Sequence, residues 1–259
     1  MRLILNEQDI LKQILECQYI DKDKPTNTIK ILIKYYLYEG IKKSNVIVLI
    51  DSFLKDNLPN YNSVKWQNTI ENMTNKINRE KNFDLLNITS IEITEKELNT
   101  IKDLNQEKYE KLAFVLLVYA KIYNLINNNE KNWVNEEHKY IFSDAKIAIK
   151  VNDQGKMINE LYKMGLVKPS LIVDRTNIKV NFVDKESPVV LVITDFRSYI
   201  YEYLRWKGKN IDSCDECGIL FIPSNNRQKY CKDCWKKVWK GYNAEKQREY
   251  RSRVCLENA

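Results

Sequence analysis

Residues 214–234 read CDECGILFIPSNNRQKYCKDC, with the spacing Cys214-x2-Cys217-x13-Cys231-x2-Cys234. Two CxxC pairs at this separation are a strong zinc signature, because each pair forms a tight knuckle and the two knuckles bring four thiolates to one ion. Gly218 directly follows the first pair, where a knuckle turn often needs a positive φ. The intervening residues suit a short hairpin, with Ile219, Phe221 and Ile222 as apolar cover and Pro223 to Asn226 as its turn. Four thiolates complete a tetrahedral shell and leave no position for water. The expectation is therefore one structural zinc ion on Cys214, Cys217, Cys231 and Cys234. Such a site supplies about 10–16 kcal/mol of apparent binding energy, which lets a segment this small fold. A disulfide reading is weaker, because the chain reads as cytoplasmic. A thioredoxin-type redox pair uses one CxxC and not two.

Beyond the cysteines, Trp235, Val238, Trp239 and Tyr242 recur at i, i+3, i+4, i+7. They form an apolar helical stripe, expected to dock on the ribbon or on the helix before it and to leave a basic face outward. That face carries Lys236, Lys237, Lys240, Lys246, Arg248, Arg251 and Arg253, with Arg227 and Lys229 adding to it from between the cysteine pairs. The net charge of the 259 residues is +7, and its distribution is uneven. Residues 1–204 hold 29 Lys/Arg against 28 Asp/Glu, whereas residues 205–253 hold 13 against 6. The excess therefore belongs to the C-terminal segment and points to a local polyanion-binding surface. The bland reading is a solvated basic face, with Glu245 and Glu249 available for pairing along the helix.

The elements Cys-Asp-Glu-Cys-Gly-Ile-Leu-Phe and Asn-Arg-Gln-Lys-Tyr-Cys-Lys-Asp-Cys, followed by an Arg/Lys-rich helix, resemble the zinc-ribbon tail of many Gram-positive bacterial and phage proteins. The resemblance covers about residues 210–253. It implies zinc on the four cysteines and association with nucleic acid, but no single biological role, because such tails follow unrelated N-terminal regions.

Upstream, residues 107–184 carry a second pattern. Glu107 to Asn127 reads as a strong helix, broken by asparagines at 127–129. A shorter helix is expected around Ser143 to Ile149, and another from about Asp153 to Met164, ending at Gly165. Leu166–Val173 and Ile178–Val183, joined by the polar turn Asp174–Asn177, read as a hairpin. This order resembles a winged-helix domain, in which the third helix enters the major groove of DNA and the hairpin is the wing. The resemblance places Lys156 and Lys163 on the recognition helix and Arg175 and Lys179 on the wing. Asp153 and Glu160 on the same helix make it a weak polyanion reader.

The first 105 residues read as helices. Ile10, Leu11, Ile14, Leu15 and Tyr19 mark one stripe, and Pro25 opens the next helix, with Gly40 as its stop. Ser44 is expected to cap a third helix, and Trp66, Ile70, Met73 and Ile77 mark a fourth. Ile88, Ile91 and Ile93 indicate a short extended segment. Thr94 to Glu97 form a capping-box pattern. Val189 to Thr194 is expected to be a buried strand, followed by a helix capped by Asp195 and running to Trp206.

The fold expectation is thus α+β and predominantly α. A helical region spans 1–105 and a winged-helix-like domain 106–185. Residues 186–259 form a strand–helix unit with the zinc ribbon and basic tail. No two of the six glycines lie closer than ten residues, which excludes dinucleotide and P-loop glycine motifs. The single histidine, His138, excludes two-histidine metal and nuclease schemes, and no GxSxG elbow supports a hydrolytic triad around it. Cys17 reads as a small core residue and Cys255 as incidental. The longest apolar run, Leu112 to Ala120, is too short for a membrane span, and the polar turn at Asn6 argues against a signal peptide.

The function these features point to is a non-catalytic, zinc-stabilised, cytoplasmic DNA-binding protein. It would be a phage or mobile-element regulator or replication accessory whose partner is nucleic acid, duplex DNA first. The alternative is a protein-binding factor, such as a phage-encoded inhibitor of a host system, in which the ribbon is only structural and the N-terminal helices are the working surface.

Overall fold

The computed structural model describes residues 3–171 and 176–257, with side chains described as far as Arg248. It is a mixed α+β, mainly helical protein that divides into two compact units, one ending at Thr89 and one beginning at Ser90. Among the described residues, no helix is long and apolar enough to cross a membrane.

The N-terminal unit contains α1 (Glu7–Cys17), α2 (Pro25–Tyr38), α3 (Lys43–Asn57) and α4 (Ser63–Glu80). Asn6 caps α1 by accepting from the amides of Gln8 and Asp9, Pro25 stands at the start of α2, and Asn62 caps α4. Ile14, Ile29, Leu32, Val46, Ile50, Leu54 and Ile70 fill the common core. Ser44 does not cap α3. Its N-cap is Lys42, whose carbonyl accepts from Asn45 and Val46, so Ser44 falls inside the first turn. Cys17 is exposed at the end of α1 rather than buried, because the helix stops there with Gln18 in a left-handed conformation.

Glu7 is buried and binds the two lysines of α2, Lys34 at 2.7 Å and Lys30 at 3.1 Å, and accepts from the amide of Leu86 at 2.9 Å. One carboxylate thus ties α1, α2 and the 84–88 segment together. Burial works against its ionisation, but the Leu86 amide and the two ammonium groups outweigh that and hold its pKa below the ordinary range.

The second unit is built on α6 (Glu107–Asn127), in which every residue from Leu112 to Ala120 is fully buried. A helix that is apolar all round must be surrounded. Around α6 pack α5 (Glu95–Lys102), α7 (His138–Asp144), α8 (Val151–Lys163) and α9 (Ile200–Trp206). The asparagines break α6 as expected, with Asn128 in a left-handed conformation at its C-cap. A three-stranded antiparallel sheet has the order β2 (Trp133–Val134), β4 (Ile178–Val180), β3 (Val167–Pro169). The chain therefore runs helix, strand, helix, helix, strand, strand. The short helix lies earlier than 143–149, because Lys146 adopts φ 52° and its amide closes the turn onto Ser143.

A separate ribbon pairs β1 (Ile91–Thr94) with β5 (Val189–Ile193). The expected burial of β5 fails for most of the strand: Val189, Val190 and Val192 are exposed, and only Ile193 is buried. A two-stranded ribbon packs one face on the core, and here Ile91 and Ile93 of β1 supply most of that face. The capping box at Thr94 forms as expected, its side chain accepting from Glu97 and its amide donating to the Glu97 carboxylate at 2.8 Å. Glu97 is fully buried, pairs with Lys121 at 2.8 Å and accepts from the Asp184 amide at 2.8 Å. Asp195 does not cap α9, which starts at Ile200 after Tyr199. Asp195 instead grips Arg197 through the backbone amide and the guanidinium.

Candidate metal centre and nucleic-acid interface

The cysteines are placed by two local structures. β6 (Asp212–Ser213) and β7 (Leu220–Phe221) pair antiparallel around the first knuckle, rather than a hairpin forming in the loop between the cysteine pairs. The amide of Gly218 donates to the Cys214 carbonyl at 2.8 Å and the amide of Cys214 donates to Ile219 at 3.0 Å. Gly218 has φ 71°, the left-handed turn that residue was expected to supply. The second knuckle is the start of α10 (Lys232–Glu257): the Trp235 amide closes onto the Cys231 carbonyl at 2.8 Å, which turns Cys234 back toward Cys231.

All four sulfur atoms lie within 4.8 Å of one another. The Cys217 and Cys231 sulfurs are 3.8 Å apart, the edge of a tetrahedron with metal–sulfur bonds of about 2.3 Å. The amide of Cys231 donates to the Cys214 sulfur at 3.3 Å, as expected of a thiolate ligand. Burial resists ionisation of Cys214, but backbone amides of Cys231, Cys217 and Glu216 bring its pKa down to about 6. Cys234 is pushed up to about 12, chiefly by its contact with Cys217 and by burial. Four soft sulfur donors within 4.8 Å of one another fit one metal ion and are consistent with zinc. Phe221, Ile219 and Tyr230 pack around them as a small core.

Along α10 the aromatic stripe does not dock as expected. Trp235 is 49% exposed, Val238 41%, Trp239 49% and Tyr242 50%. The ribbon's core is already closed by Phe221, Ile219, Tyr230 and the cysteines, and α9 packs on β7 instead. The rings stack on one another: Trp235 and Trp239 have centroids 5.7 Å apart and planes 8° apart, and Trp239 and Tyr242 are also 5.7 Å apart. They form one wall of an open groove of about 840 Å³, whose other wall is the arm from Ile222 to Tyr230.

Arg227 and Lys229 line that groove beside Lys232, a cation outside the basic set expected from the sequence. Its helical phase relative to Trp235 and Trp239 was the available signal. Lys236, Lys237 and Lys240 are exposed on α10. None of these six cations forms an ion pair among the described residues. Lys246 lies over the Tyr242 ring at 5.7 Å, and Arg248 is exposed. Arg251 and Arg253 belong to α10, but their side chains lie outside the described ones.

The cations nearer α9 are used differently. Arg205 pairs with Glu202 at 2.6 Å, Lys209 with Glu107 at 3.1 Å, and Lys207 with buried Glu110. Among the described residues, the cations of the basic segment that form no ion pair are thereby concentrated at Arg227, Lys229, Lys232, Lys236, Lys237 and Lys240. On α8, Lys156 pairs with Asp153 and Lys163 with Glu160, both at 2.7 Å, so each expected recognition-helix cation is partnered on its own helix. Arg175 lies outside the described residues, and Lys179 is half-buried in the centre of the β2-β4-β3 sheet. His138 sits 3.3 Å from the Thr176 carbonyl, and its pKa is lowered by burial.

A scan against protein-family models matches no family, and comparisons with curated proteins and with solved structures find no match.

Proposed function

We propose that this chain is a zinc-stabilised nucleic-acid-binding protein, non-catalytic, acting as a regulator or replication accessory of a phage or mobile element. The observation that carries the reading is that Arg227, Lys229, Lys236, Lys237 and Lys240 form no ion pair among the described residues and stand beside an exposed aromatic stripe that follows the four-cysteine cluster. Phosphates would be neutralised by Arg227, Lys229, Lys236, Lys237 and Lys240. Zinc on the four cysteines would fix the arm and α10 relative to each other, and its closed shell suits a structural part.

The helix–strand–helix–helix–strand–strand order, with sheet order β2-β4-β3, supports a winged-helix reading of residues 106–185. In that reading α8 presents to duplex DNA. Its two lysines already have partners, so it would position the duplex more than bind it tightly.

The test is fluorescence anisotropy of zinc-loaded protein with labelled duplex and single-stranded oligonucleotides across a salt series. Affinity should fall steeply as salt rises. Absence of binding at low salt overturns the reading. It would favour a second one, a protein-binding factor working through the N-terminal unit, where Tyr38, Val48 and Val64 are well exposed. A host-protein complex that tolerates loss of the α10 charges would establish that second reading.

A further inference from the structure

We infer that the groove between the Ile222–Tyr230 arm and α10 is a stacking site for unpaired bases, so that the protein binds single-stranded nucleic acid in preference to duplex. This rests on the nucleic-acid reading above and assigns the aromatic stripe a task of its own.

Three observations carry it. First, Trp235, Trp239 and Tyr242 stack on one another with centroids 5.7 Å apart, yet each side chain stays about half exposed, so the rings present to the groove the surface that their neighbours leave uncovered, Trp235 at the head of the row most of all. Aromatic faces of this kind take up bases whatever their identity, because every base has a π-face. In duplex those faces are occupied by neighbouring base pairs, so only unpaired bases can use the rings. Second, the groove lining contains three cations, Arg227, Lys229 and Lys232, and no carboxylate. A strand whose bases stack on the rings has its phosphates on the outer side, toward such cations. An acidic or phosphate-bearing chain is therefore favoured over a neutral peptide. Third, the arm facing the rings is internally fastened. Gln228 accepts from the amide and hydroxyl of Ser224 at 2.8 and 2.7 Å and donates to the Tyr230 carbonyl at 3.0 Å, and the Arg227 amide donates to Asn225 at 3.0 Å. The groove is thus a formed feature, not a gap beside a loose loop. Its volume, about 840 Å³, lies in the upper part of the range for small-ligand sites and has room for a short run of nucleotides.

The experiment compares the zinc-loaded full chain with Trp235→Leu/Trp239→Leu and Trp235→Phe/Trp239→Phe variants, using oligo(dT) and a duplex of equal length. Zinc stoichiometry is measured on each to verify that the ribbon is intact. We expect oligo(dT) to bind more tightly than duplex and to quench tryptophan fluorescence. The leucine variant should lose roughly 5- to 150-fold in single-strand affinity for each stacked base, with zinc content unchanged and a much smaller change in duplex affinity, and the phenylalanine variant should recover most of the loss. Equal binding of oligo(dT) by the leucine variant overturns the stacking site while leaving the phosphate reading intact. Failure of both nucleic acids to bind the parent protein at low salt overturns both. In that case a proline-rich peptide that quenches the same tryptophans would identify the groove as a peptide site instead.

Discussion

Arg197 donates through Nη2 to the carbonyl oxygen of Cys217 at 2.8 Å while its guanidinium is held by Asp195. The turn before α9 therefore grips the first cysteine knuckle from outside. The bond braces backbone that carries a metal ligand, and outer-shell contacts of that kind typically tune affinity by about 10–100-fold. Arg197→Ala should weaken zinc binding by about tenfold, as read by competition with a chromophoric chelator. Unchanged affinity would make the Arg197 contact incidental.

Removal of the metal from the four-cysteine site, zinc on the reading proposed above, should act locally. The apolar cover of the ribbon is small, centred on Phe221, Ile219 and Tyr230, whereas α6 and its neighbours have a separate, fully buried core. Chelation, or Cys214→Ser, should therefore disorder residues 211–257 and leave the α6 core folded. Hydrogen exchange resolves the two regions. Protection that persists in the 211–257 segment after chelation would refute the idea that metal holds the ribbon together.

Glu7→Ala should destabilise the N-terminal unit by about 3 kcal/mol, because it strands the ammonium of Lys34 in a largely buried site and leaves the Leu86 amide without its acceptor. Urea unfolding of the full chain, followed by probes in α1–α4, measures this. A loss under about 1 kcal/mol would mean that Lys34 finds adequate alternatives, its contact with the Asp84 carbonyl among them.

Asp184 gives the second unit an acid-sensitive corner. The Ser187 amide, the Ser187 and Thr94 hydroxyls and Lys96 hold its carboxyl at about 2, against an ordinary 3.8. A folded-state pKa below the unfolded one adds stability above the unfolded value and loses it as pH falls through the folded one. The Asp184 contribution should thus be complete above about pH 5 and fade between pH 4 and 2. Asp184→Asn should be less stable at neutral pH and show a flatter stability profile across that acid window.

Much of this architecture was legible because local chemistry was decisive. Thr94 and Glu97 make both halves of their capping box, Asn128 ends α6 through its tolerance for a left-handed conformation, and the cysteine spacing brings four sulfurs together. The parts that escaped were those decided by neighbours. β2 has only two residues and exists because β4 passes beside it. The unbroken apolar run from Val189 to Ile193 says a strand forms and suggests that both faces are covered, but not that one of them has no cover. The same limit applies to Trp235, Val238, Trp239 and Tyr242: periodicity marks an apolar face on α10 without saying whether anything packs against it.

That exposure sharpens the prediction for the cations. If phosphates bind along α10, Lys236, Lys237 and Lys240 act through charge alone, since each is exposed and forms no ion pair among the described residues. Replacing all three with Glu should weaken binding to every sequence alike. It should also lower the slope of log affinity against log salt by about 3 on duplex, and somewhat less on single strands. Asp153→Ala/Glu160→Ala gives the opposite case. It frees Lys156 and Lys163 on α8, and should raise duplex affinity and steepen the slope if that helix faces DNA. An unaltered slope in the triple variant removes α10 from the phosphate contact. A slope altered only in the α8 variant transfers that contact to α8.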